Sequence, residues 1–150
     1  MAALASLGLV GLGLVACKPD IPKEYDDIIP QKDLRKFLPR EKSALEGGGG
    51  SGFYKTTDKK ALTAAFREKI TAAGYKEMMK CEDADLVVAV KGDNTVVDVN
   101  FLVMSEETMA NVTKAKMSMV GFPEKAKCEW TDAAKAVCEV QGDHCYFREK

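Results

Sequence analysis

The fold is decided by residues 58–103, DKKALTAAFREKITAAGYKEMMKCEDADLVVAVKGDNTVVDVNFLV. Asp58 is of the type preferred at a helix N-cap. Apolar side chains then recur at helical spacing, at Leu62, Phe66, Ile70 and Ala73. Gly74 stands at the position after the helix where glycine is favoured. The pattern predicts an amphipathic helix over residues 59–73.

Three strands are predicted after this helix, over residues 75–81, 86–90 and 97–103. In the third strand Val97, Val99, Phe101 and Val103 alternate with Asp98, Asn100 and Leu102, the period of a half-buried strand. Residues 91–95, KGDNT, have the composition of a turn. We therefore expect an antiparallel meander with one buried face.

A second helix is predicted from Ser105, which would cap it, and Gly121-Phe122-Pro123 would end it. Glu106 and Glu107 complement a helix N-terminus, and Met109, Val112 and Met119 lie near one stripe. Residues 127–130, 136–141 and 144–148 predict three short strands. In the alternative, Thr131 caps a helix over residues 132–140 that stops at Gly142.

Together these elements predict an α+β domain over residues 53–150, with one antiparallel sheet packed by two helices and linked by disulfides. A signal peptide (1–16) and a tether and linker (17–52) would precede it. Residues 18–46 have seven basic side chains, seven acidic side chains and four prolines, a composition typical of a solvated tether. An alternative is a binding peptide, since a spacer does not need Tyr25, Ile28, Ile29, Leu34, Phe37 and Leu38.

The glycine-rich run Gly47-Gly48-Gly49-Gly50-Ser51-Gly52 predicts a flexible linker. A phosphate-binding loop would instead need Gly-Lys-Ser/Thr at the start of a helix, and here Phe53 and Tyr54 follow.

Residues 1–16, MAALASLGLVGLGLVA, contain no charged side chain. As a helix they would reach about 24 Å, which is shorter than a hydrocarbon core of about 30 Å. The run is therefore typical of a secretory signal. A buried helix with Cys17 in a core is the alternative.

The four residues Leu14-Val15-Ala16-Cys17 resemble the lipobox of bacterial lipoproteins. The resemblance implies removal of residues 1–16, acylation of Cys17 and anchoring in a membrane that faces the periplasm. In such lipoproteins an Asp after the cysteine retains the protein in the inner membrane. Lys18 stands there in this chain, so the resemblance favours the outer membrane. Residues 54–58 and 64–75 are also similar to a small helix-on-sheet domain found in uncharacterised bacterial lipoproteins, which implies an architecture but no catalytic residue.

The remaining cysteines are Cys81, Cys128, Cys138 and Cys145, an even number that predicts two disulfides in an oxidising compartment. Their spacing does not match a zinc-binding pattern. A two-residue turn at Gly142-Asp143 would place Cys138 opposite Phe147 and Cys145 opposite Val140. We therefore expect no 138–145 bond and favour 128–138 with 81–145.

The charge balance, 22 basic against 23 acidic side chains, gives a net charge of −1. This excludes the basic excess typical of nucleic-acid binding. The sole histidine, His144, has no nucleophile marked for it, so we expect no enzyme and no cofactor. The sequence favours a noncatalytic binding or scaffold module, anchored to the membrane through Cys17, whose partner is an envelope protein or cell-wall component. An alternative is a copper or small-ligand binder that uses Met117, Met119 and His144.

Overall fold

The computed structural model describes residues 20–40 and 48–149, and the predicted signal peptide and Cys17 lie outside them. The α+β class is confirmed, with sheets in which every strand pair is antiparallel. The elements are a 3-10 turn Lys23–Tyr25, β1 Leu34–Arg40, β2 Gly48–Tyr54, α1 Lys59–Ala72, β3 Lys76–Glu77, β4 Met79–Cys81, β5 Leu86–Val90, β6 Thr95–Met104, β7 Glu107–Lys116, β8 Met119–Gly121, β9 Cys128–Trp130, α2 Asp132–Val137, β10 Cys138–Gln141 and β11 His144–Phe147. A six-stranded sheet has the order β1-β2-β7-β6-β5-β3, a second sheet has the order β10-β11-β8, and a third has β4-β9.

The predicted first helix is confirmed as α1. The Asp58 carboxylate accepts a hydrogen bond from the Ala61 backbone N–H at 2.9 Å. Gly74 follows the helix with φ of +89°, a conformation that glycine adopts without strain. The buried ring of Phe66 lies edge-on to Tyr54 and to Phe101, with centroids 5.8 and 5.5 Å away. These contacts fix the apolar side of α1 to the large sheet.

The six-stranded sheet has two faces that differ in how they are covered. The helix face, on which α1 packs, carries Val97, Val99 and Phe101 of β6, all buried. We call the opposite side the open face. A second group of buried residues, the C-terminal cluster, covers the open face over Val88 and Val90 of β5 and Val96 of β6. The cluster also includes Met78, Met79, Val120, Ala134, Cys138 and Cys145.

The predicted tether and glycine-rich linker are wrong for the described residues, because residues 20–40 and 48–52 belong to the fold. Tyr25, Ile28, Ile29 and Phe37 are buried in the same core as α1. The glycines form β2, between β1 and β7. A Cβ at Gly48 would lie 2.2 Å from the Tyr25 hydroxyl oxygen, and one at Gly50 would lie 2.2 Å from Phe37 Cζ. Glycine is needed there because two aromatic rings lie directly on the strand.

The second predicted helix is also wrong, since residues 107–116 form strand β7. Ser105 has φ of +51° and lies in the two-residue turn between the paired residues Met104 and Glu107. In β7, Thr108, Ala110 and Val112 are buried at every second position. Pairing with β2 and with β6 on its two edges outweighs the helical signal of the acidic residues.

In the last thirty residues both alternatives are partly correct. Strands β9, β10 and β11 are present, and the short helix α2 lies between the first two. Thr131 caps α2, as its Oγ1 accepts from the Ala134 backbone N–H at 3.3 Å. The described part of the chain contains no helix long and apolar enough to cross a bilayer.

Two disulfides are present, but their pairing corrects our expectation. The inner disulfide joins Cys138 and Cys145, and the outer disulfide joins Cys81 and Cys128. The hairpin register at Gly142-Asp143 is the predicted one, with Cys138 opposite Phe147 and Val140 opposite Cys145. Cys138 and Cys145 are nevertheless diagonal neighbours on one face, and strand twist shortens one diagonal, giving Cα atoms 5.4 Å apart.

The outer disulfide joins residues that lie directly opposite each other in β4 and β9. Backbone hydrogen bonds from Glu82 to Lys127 and from Thr131 to Met78 flank the pair. Cys81 and Cys128 therefore form a non-hydrogen-bonded pair, the closer of the two kinds in an antiparallel ladder. Their Cα atoms are 4.1 Å apart.

Candidate binding surface

The largest group of exposed apolar side chains lies on the open face. Strand pairing places Phe53 of β2 opposite Met109 of β7, and Met109 opposite Leu102 of β6. Leu38 and Met104 flank this row on β1 and β6. Leu38, Leu102 and Met104 are 42%, 52% and 47% exposed. We call these five residues the apolar strip.

The strip is exposed because the C-terminal cluster ends before it. The cluster covers β5 and the start of β6, whereas the strip runs across β1, β2, β7 and the end of β6. Large apolar side chains that are contiguous on a surface mark interaction sites more often than scattered ones do. The strip is therefore the strongest candidate for a binding surface among the described residues.

A row of polar side chains crosses the open face beside the strip. The Ser51 hydroxyl donates to Asn111 Oδ1 at 3.1 Å, and the Asn111 amide donates to Asn100 Oδ1 at 3.2 Å. Strand pairing aligns these three residues with Leu38. The row offers hydroxyl and amide groups to a partner next to an apolar surface.

Two side chains of opposite charge lie on the open face, on either side of β2 and β7. Arg40 of β1 and Asp98 of β6 belong to one row, joined through Gly49 and Thr113. Burial raises the pKa of the Asp98 carboxyl, and a hydrogen bond with Asn100 opposes that shift. At the end of the sheet nearest Met104, Arg35 and Glu107 form an exposed ion pair at 2.7 Å.

The predicted ligand side chains are separated by the structure. Met117 packs against the C-terminal cluster, whereas Met119 is 43% exposed on β8. His144 lies on β11, where its Nδ1 is 2.6 Å from Asp143 Oδ1 and its ring stacks on Tyr146. Met119 and His144 share the exposed side of the second sheet, because they pair with Tyr146 and Gly121. Only these two of the three candidates are on one face.

Within residues 20–40 and 48–149, no three His, Cys, Asp or Glu side chains are grouped so that they could hold a metal ion. One cleft, of about 510 Å³, is lined by Tyr25, Arg40 and Lys114. Lys114 is held there by the Glu24 carbonyl at 2.6 Å and Asp27 Oδ1 at 3.3 Å.

Comparison of the chain with protein-family models, with curated proteins and with solved structures found no significant match.

The sequence contained two signs of the apolar strip. Leu38 is one of the apolar residues that a solvated tether does not need, and Leu102 is the other sign. In β6, Asp98, Asn100 and Leu102 lie on the same side of the strand. The first two are polar, whereas Leu102 is apolar. An apolar residue on the side that should face water marks either an error in the pattern or a contact surface. Met104 lies at the end of β6, beyond the predicted strand 97–103. Phe53 lies on β2, of which the sequence predicts residues 48–52 to be a linker, and Met109 lies on β7, which the sequence predicts to be a helix.

Proposed function

We propose that this protein is a lipid-anchored, noncatalytic binding module of the bacterial envelope, which holds a protein partner on its open face. The lipobox resemblance of Leu14-Val15-Ala16-Cys17 supports the anchor. The apolar strip is the single observation that carries the binding role.

The composition of the open face favours a protein partner. Interfaces between proteins combine an apolar centre with a polar rim, and the strip is bordered by the Ser51–Asn111–Asn100 row and by charges of both signs. A net charge of −1 gives no general attraction to an anionic polymer or lipid surface. The partner surface we expect is apolar, with charges of both signs at its margin.

The side chains that the fold brings together also favour a binding role. The open face collects apolar, hydroxyl and amide groups. His144, the one histidine of the chain, contacts Asp143 and Tyr146 in an exposed hairpin. This arrangement supports recognition more than acid–base chemistry.

The anchor is tested by the intact mass of the protein extracted from bacterial membranes with detergent, before and after reduction and alkylation. We expect a chain that lacks residues 1–16, carries acyl groups on Cys17 and gains four alkyl groups only after reduction. An unprocessed, unacylated chain refutes the anchored role.

The binding surface is tested in intact cells with a photo-crosslinking amino acid in place of Thr113, which lies on the open face outside the strip. We expect a crosslinked product that disappears when Leu102→Lys is added and persists with Met119→Lys. Met119 is a matched control, since it is a similarly exposed strand residue on the second sheet. A product unaffected by Leu102→Lys, or the absence of any product, refutes the open face as the binding surface.

A further inference from the structure

We propose that the partner on the open face is a second copy of this chain, packed face to face around a two-fold axis that runs parallel to the strands between β2 and β7. The inference rests on the proposed function only in taking the open face as the binding surface. It adds the identity of the partner.

The two-fold axis makes the centre of the open face complementary to itself. At the margin it brings Lys36 against Leu102 of the second copy, where the apolar stem of the lysine can cover the leucine while its ammonium group stays in water. The axis places β2 across β7 of the second copy, and β1 across β6 of the second copy. Sheets that pack face to face keep their strand directions within about 30° of each other, so residues of the same row meet. Phe53 then faces Met109 of the second copy, a contact between a ring and a thioether that is favourable in apolar surroundings.

The polar row is self-complementary under the same axis. Ser51 and Asn111 lie on the two sides of the axis in one row. Each therefore faces the other residue in the second copy. A hydroxyl and an amide can both donate and accept, so the row can form hydrogen bonds across the interface as well as within each chain.

The charges of Arg40 and Asp98 are the most specific feature that favours this two-fold arrangement. Arg40 and Asp98 lie at the two sides of one row, with Gly49 and Thr113 between them. The axis brings Arg40 of each copy opposite Asp98 of the other, which makes two symmetric ion pairs. Among the described residues neither side chain is part of an ion pair within its own chain. The second copy supplies the missing partner to both.

Two further properties favour a face-to-face dimer of this chain. The net charge of −1 means that two copies repel each other very little. Pairing through the free edge of β1 is disfavoured, because Pro39 has no N–H to donate and the same strand carries Lys36 and Arg40. Of these two surfaces, the open face is the one that favours association of two copies.

The first test is sedimentation equilibrium of the detergent-extracted protein in a density-matched buffer, which measures the protein mass alone. We expect twice the chain mass, the mass of one chain with Leu102→Lys, and twice the chain mass with Met119→Lys. A single-chain mass for the unmodified protein at about 100 µM, which would make the dimer Kd weaker than that value, overturns the inference.

The second test uses the ion pairs. Arg40→Glu and Asp98→Arg should each raise the dimer Kd by about tenfold or more, because each places like charges opposite each other twice. An equimolar mixture of the two variants should regain the unmodified Kd as a heterodimer, since both pairs are then of opposite sign. Far-UV circular dichroism checks that each variant is folded. If Asp98→Arg does not fold, Arg40→Glu without a change in Kd still refutes the pairing.

Crosslinking from residue 113 separates failure of this inference from failure of the proposed function. A product with twice the mass of the processed chain, lost with Leu102→Lys, supports the second copy. A product of another mass that is lost with the same variant overturns the second copy while the open face remains a binding surface. No product overturns both proposals.

Discussion

Gly50→Ala should destabilise the protein by an amount that depends on a single neighbouring ring. The new Cβ would lie 2.2, 2.8 and 2.9 Å from three atoms of the Phe37 ring, so the ring must move. Phe37 is 6% exposed, and loss of that burial costs about 2 kcal/mol. In a Phe37→Ala background the space is empty, and alanine is favoured over glycine in a strand by about 0.5 kcal/mol. The effect of Gly50→Ala should therefore change sign.

The assay is a double-mutant cycle measured by urea unfolding with far-UV circular dichroism. Phe37→Ala alone should cost about 3 kcal/mol, and the coupling energy between the two positions should be about 2.5 kcal/mol. The dependence of unfolding free energy on urea should stay unchanged if the fold is retained. Equal effects of Gly50→Ala in the two backgrounds would refute the account of β2 as a surface on which aromatic rings lie.

Three further changes test the core and the disulfides. As the reductant concentration is raised, the outer disulfide should be reduced before the inner one, because its cysteines are half-buried while those of the inner disulfide are fully buried. Alkylation followed by mass spectrometry measures the order. Reduction of the inner disulfide first contradicts this expectation. Burial raises the pKa of Asp98 above its ordinary 3.8, so its contribution to stability is complete below that pH and is lost as the pH rises through the raised value. Asp98→Asn in the Leu102→Lys background should therefore gain stability relative to that background between pH 3.5 and 7 in urea unfolding, and a constant difference contradicts the burial argument. The Thr108 hydroxyl donates to the Thr56 carbonyl at 2.6 Å, so Thr108→Val removes a buried donor and should lower the free energy of unfolding by about 1–3 kcal/mol in urea. The control variant Thr113→Val should change it by no more than about 0.5 kcal/mol. Similar losses for the two variants refute the role of the hydrogen bond.

The parts of the fold that the sequence predicted are those in which local signals and tertiary packing agree. In α1, the Asp58 cap, the apolar spacing and Gly74 all favour the same helix. In the meander after it, β5 and β6 form where the apolar run, the alternation and the turn residues predict them. The predicted first strand, 75–81, is instead divided into β3 and β4, which belong to different sheets. At Gly142-Asp143 the turn type alone determines the hairpin register, and the structure confirms it.

The wrong predictions for β2 and β7 share one cause, because the signal that each lacks lies on another part of the chain. Nothing near Gly50 indicates a strand, since the reason for glycine is the ring of Phe37, thirteen residues earlier. Residues 105–116 combine acidic and apolar side chains as a helix start does, and only their pairing with β2 and β6 selects the strand. The binding surface needs both of these strands, so in the sequence only Leu38 and Leu102 indicate it.

The disulfide pairing failed for a geometric reason. The predicted register is confirmed, but the inference that residues not directly opposite each other cannot bond is wrong. Twist brings diagonal neighbours such as Cys138 and Cys145 within reach. A one-dimensional register therefore excludes fewer cysteine pairs than it first suggests.

The position of the outer disulfide sets an order of assembly for a chain that emerges N-terminus first, as in synthesis or export. β7 ends at Lys116 and is the last strand of the six-stranded sheet, so all strands of that sheet are available before Cys128 emerges twelve residues later. Until then Cys81 has no native partner. The outer disulfide can therefore form only after all strands of the six-stranded sheet have emerged. An oxidant present before that point can react with Cys81 but not with Cys128.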